Sequence, residues 1–116
     1  LMSIYIKHIP REQIFSLAEQ VEILPGQIVS KTLAQNAYVS LTLFAFDKGE
    51  EISTHDSTGD AMVTVLEGTG QFTVNGEVHQ LKQGETLLMP AKIPHAVFAP
   101  EPFKMMLTVV FPAEKE

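Results

Sequence analysis

From Gln27 onward apolar and polar side chains alternate with a period of two. Ile28, Ser30, Thr32 and Ala34 alternate against Val29, Lys31 and Leu33, which predicts a half-buried strand. Residues 38–46 predict a second strand, with Val39, Leu41 and Leu43 on one face and Thr42, Phe44 and Phe46 on the other. A strand covered on both faces belongs inside a sandwich or against a second subunit. Asp47, Lys48 and Gly49 close it. Short runs follow at 62–67, 71–74, 77–81, 86–89, 95–98 and 104–111, separated by turns that contain Gly. The sharpest local signal is Asn75-Gly76 between alternating segments, a type I′ hairpin sequence, because both central residues must take positive φ. Ahead of this β-patterned region, Ile14, Leu17, Ala18 and Val21 follow a helical period after Pro10. They predict a short helix of two or three turns, ended by the Pro25-Gly26 turn. Many short strands at this spacing predict an all-β sandwich or barrel, with the jelly roll among the options.

Composition narrows the reading. The 116 residues suit one domain, and 45% hydrophobic with 19% charged residues is a globular balance. A formal charge of −6, with Lys7, Arg11, Lys31, Lys48, Lys82, Lys92, Lys104 and Lys115 scattered, argues against a nucleic-acid partner. There is no cysteine, which excludes disulfides and thiolate metal sites. With no long apolar run and no secretory pattern, no membrane partner is expected and a cytoplasmic address is the default expectation.

The segment 49–99 resembles the two motifs of the cupin superfamily. The first motif is Gly, five residues, His-x-His, three or four residues, Glu, six residues, Gly. Its positions are held here by Gly49, His55, Ser57, Ala61 and Gly68. The second is Gly, five residues, Pro-x-Gly-x-x-His, three residues, Asn, and is held by Gly84, Pro90, Lys92, His95 and Ala99. The resemblance implies a double-stranded β-helix, or jelly-roll barrel, with a short N-terminal helix or turn. It implies one cupin domain over 1–116, in which 1–25 is an N-terminal extension packing on the barrel and 26–112 is the barrel core. In metal-bearing cupins the first motif supplies two His and one Glu, and the second supplies a third His. Carried over by position, only His55 and His95 remain as metal ligands, because Ser57 and Ala61 replace the other two.

Simple alternation turns His55 and Ser57 inward, with Ala61, Val63 and Val65 and with His95, Val97 and Ala99. The expected pocket is lined by Ser57, Ala61, Val63, Val97 and Ala99: apolar, with two imidazoles and a hydroxyl. Glu51 shares the parity of His55 near the mouth, whereas Asp56 and Asp60 turn away unless Gly59 bends Asp60 inward. His79 reads as a rim or core histidine, His8 has no motif around it, and the methionines read as core filler. Two imidazoles are short of the three or four protein ligands of a stable site, so the cofactor expectation is a weakly held divalent transition metal or none. The first functional reading is a small-molecule-binding module of unknown ligand. The alternative is a metal-dependent (Fe, Mn, Ni or Zn) enzyme, such as a dioxygenase or isomerase acting on a small metabolite, and whether any reaction is catalysed stays open. Apolar residues on both faces of 38–46 and along 103–111 predict a homodimer, as the resemblance also implies.

Overall fold

A computed structural model describes residues 5–113, so the terminal parts of the expected 1–116 domain (1–4 and 114–116) lie outside the described residues. The chain forms β1 (Ile28–Gln35), β2 (Val39–Phe46), β3 (Glu51–His55), β4 (Asp60–Glu67), β5 (Thr69–Val74), β6 (Glu77–Lys82), β7 (Thr86–Met89), β8 (His95–Phe98) and β9 (Phe103–Val110). They pair antiparallel into a five-stranded sheet of order β1-β2-β9-β4-β7 and a four-stranded sheet of order β3-β8-β5-β6. The β5–β6 hairpin turns through Asn75 and Gly76 at φ 50° and 81°, the left-handed pair that a two-residue I′ turn demands.

The period-two pattern acts through the facing inner surfaces. Ala61, Val63 and Val65 of β4 meet Phe103, Met105 and Val109 of β9, Phe72 of β5 and Val97 of β8 in one buried cluster. Phe46 stacks on Phe103 at 4.7 Å between ring centroids, and Phe72 meets Phe103 edge-on at 6.1 Å. By register these aromatic rings close the end of the barrel remote from His55 and His95.

The second apolar face of β2 has a separate explanation. Leu33, Leu43 and Ala45, on the outer side of the five-stranded sheet, are buried under Val21, with Ile9, Leu17 and Ile23 packed around them. The chain's own N-terminal segment therefore covers much of the face whose exposure motivated the expectation of a dimer. Lys7 N–H donates to Leu33 O (2.7 Å) and Lys104 Nζ to Ala18 O (2.7 Å), fixing the segment at both ends. Met62, Leu88 and Val110 stay open to solvent on the same side of the sheet.

The expected helix of two or three turns is instead a single 3-10 turn, Ala18–Gln20, with no side-chain cap at its start. His8 and Glu12 take positive φ, 66° and 57°, which a right-handed helix does not admit. Ile14 is fully exposed, while Leu17 and Val21 reach the sheet. So few residues between two prolines do not repay helix nucleation when an irregular path buries the same side chains.

Candidate functional site

His55 ends β3 and His95 opens β8, and the two are directly paired across the sheet. This pairing depends on a β-bulge. Glu51 lies opposite Phe98 and Ile52 opposite Val97, after which two residues of β3, Ser53 and Thr54, match one of β8, Ala96, before His55 meets His95. Ile52 already packs on the core, so strict alternation from it would turn His55 outward. The extra residue re-aims His55 toward the inner face. The same shift corrects the expectation for Glu51, which faces outward, in register with Phe98 rather than in phase with His55.

The rings lie 4.4 Å apart between centroids at 67°. His55 is exposed and His95 is 5% exposed, so the pair forms one side of the barrel mouth. Each ring is held by a backbone carbonyl two residues upstream, His55 Nδ1 by Ser53 O (2.8 Å) and His95 Nδ1 by Ile93 O (3.2 Å). Sequence patterns carry no signal for such carbonyl partners.

The loops that carry the site are laced together. Lys92 N–H donates to Ser57 O (2.7 Å), Gly59 N–H to Ser57 Oγ (3.1 Å) and Ala91 N–H to Asp60 Oδ1 (2.8 Å). Asp60 is thus an exposed staple between the loops, and Gly59 does not bring it inward. Lys92, at the family's Gly position, takes φ 66°, so the left-handed turn is kept without the residue that adopts it at least cost. We expect Lys92→Gly to stabilise the fold by up to about 1 kcal/mol, read as a raised urea midpoint at unchanged slope.

Burial pushes the His95 imidazole below its ordinary value near 6.5. The Ile93 hydrogen bond opposes that shift, the neighbouring His55 reinforces it and the Asp56 carboxylate opposes it. The folded chain therefore binds this proton less readily than the unfolded chain. Stability is full above about pH 6.5 and falls as pH drops through that value toward the depressed one. The urea midpoint should decline as pH falls through about 6.5, and His95→Gln should flatten that decline.

Ala61, Val63, Val97 and Ala99 are packed in the core, none more than 4% exposed, and Ser57 is half-buried with its hydroxyl accepting from Gly59 N–H. Clefts that border described residues include one of about 490 Å³ between the N-terminal segment and β1, with Lys7 and His8, one of about 350 Å³ on the outer face beside Glu51 and Phe98, and one of about 270 Å³ beside Asp60 and Phe111. Val97 borders the second, and the other four expected pocket residues border none of these. His79 pairs across to Phe72, half-buried, with Nε2 3.5 Å from Glu77 Oε1. Among the described residues no group of three or more His, Cys, Asp or Glu side chains is placed to hold a metal. Among them, too, no helix is long and apolar enough to cross a membrane.

The family model for a cupin domain matches residues 42–111. A conserved protein of unknown function from Streptococcus pyogenes is 43% identical and superposes with a TM-score of 0.93, over 97% of this chain and 98% of that one. A cupin superfamily protein from Desulfitobacterium hafniense is 30% identical at a TM-score of 0.88, over 92% and 98%. A salicylate 1,2-dioxygenase from Pseudoaminobacter salicylatoxidans shares 20% identity at a TM-score of 0.67, over 77% of this chain and 26% of its own, a likeness of fold alone. No curated protein matches the sequence.

Proposed function

The chain belongs to the cupin family, and from that premise we propose that it is a small-molecule-binding module whose polar contacts at the barrel mouth are His55, His95 and Ser57. The observation that carries this reading is the imidazole pair at 4.4 Å, with Ser57 and Ala61 where the family places a second His and a carboxylate. Two neutral nitrogens with no carboxylate do not make the three- or four-ligand set of a firmly held divalent metal. A few polar groups at the edge of an apolar barrel are the usual make-up of a small-ligand site. The packed core supports a ligand seated at the mouth rather than deep inside.

Protein purified without a metal-affinity tag should carry far less than one Fe, Mn, Ni or Zn per chain by elemental analysis. Near-stoichiometric metal would sink this reading and favour a metal-dependent cupin enzyme. The proposal includes a cytoplasmic homodimer joined through the open apolar face around Met62, Leu88 and Val110. Sedimentation at micromolar concentration should give the dimer mass, and a monomer would count against it.

A further inference from the structure

The backbone fixes which nitrogen of each imidazole is free. A carbonyl oxygen only accepts, so His55 Nδ1 at 2.8 Å from Ser53 O and His95 Nδ1 at 3.2 Å from Ile93 O must each carry the proton. A neutral ring protonated at Nδ1 presents a lone pair at Nε2. Neither Nε2 has a hydrogen-bond partner among the described residues. The two rings lie 4.4 Å apart between centroids at 67°, so both belong to one side of the mouth. The surroundings act in the same sense: Asp56 places a carboxylate close enough to act on His95, and the chain carries −6. An anion there meets two lone pairs and a like charge.

We infer that this site takes a neutral molecule presenting two neighbouring O–H or N–H donors from an apolar body, and that it discriminates against carboxylates and other anions. The inference rests on the reading of the barrel mouth as a small-molecule site and names the ligand class for it. One donor goes to each Nε2, and the apolar body rests against Val74 and Val97, which share the inner face with His95.

Catechol and benzoate test it, because they share a ring but differ in offering two donors or a charge. In wild-type protein labelled with ¹⁵N-histidine, the neutral form of each ring should carry its proton at Nδ1 and leave Nε2 bare. Catechol should bind and shift both Nε2 resonances toward the protonated side, and benzoate should not bind. His55→Ala, at an exposed position, should weaken catechol by about tenfold, the worth of one hydrogen bond between neutral groups. An Nε2–H tautomer in either ring, or benzoate bound as tightly as catechol, overturns the donor-pair inference while leaving a small-molecule module standing. Binding of neither compound, with both tautomers as stated, overturns the inference and removes the support for the module as well.

Discussion

Restoring the two absent ligands, Ser57→His with Ala61→Glu, should raise affinity for a divalent transition metal by about two to four orders of magnitude, or 3–6 kcal/mol. His55 and His95 already lie side by side with Nδ1 anchored and Nε2 free, the arrangement metal-binding histidines adopt with an outer-shell acceptor. Ala61 sits at the His end of β4, in register with Met89 and Val109 and 2% exposed. A Glu there has no partner without metal, so the apo double variant should lose several kcal/mol of stability. Metal at 100 times its dissociation constant should return about 2.7 kcal/mol of that. Calorimetric titration decides the matter. If the double variant binds metal no better than wild type, the loop carrying Ser57 holds a geometry that two side chains do not correct.

The other large effect belongs to the core. Phe103 is fully buried, stacked on Phe46 and edge-on to Phe72, so it joins both sheets. Phe103→Ala should cost about 3–5 kcal/mol, a large part of the roughly 5–15 kcal/mol that holds a domain folded. Gly70 gives the prediction an internal check. A Cβ there would lie 2.5 Å from Phe103 Cε2, so Gly70→Ala in wild type overpacks the site and should cost about 1–3 kcal/mol. With the ring removed the two shortest contacts go and only Phe72 Cε1, at 2.9 Å, is left, so the same change should cost less. Urea denaturation of both single variants and the double variant closes the cycle, and strict additivity would mean that the contact does not govern Gly70.

The strands and the hairpin were legible because their signals are local. Period-two alternation along β1, β2, β4 and β9 follows from side chains pointing alternately to opposite faces, and Asn75-Gly76 follows from positive φ. Strand β3 was not legible as a run, since Glu51–His55 holds one aliphatic residue and is mostly exposed. It was placed only by the spacing of the cupin motif, and alternation then misassigned Glu51 because a bulge breaks the count. At the N-terminus the spacing of Leu17 and Val21 correctly marked side chains that seek burial. The helix did not follow, because burial against a ready-made sheet face satisfies those side chains without helical hydrogen bonds.

The sequence by itself determined the cupin frame and the loss of two ligand positions, since these are matters of residue identity at fixed spacing. Tertiary structure decided the rest. It brought His55 to His95 through an extra residue in β3, set both tautomers through the Ser53 and Ile93 carbonyls, and turned Asp60 into a staple. It also laid the N-terminal segment over the outer face of the five-stranded sheet. Backbone acceptors and bulges leave no mark in residue identity, because any residue supplies the carbonyl and the chain's path alone decides where it points.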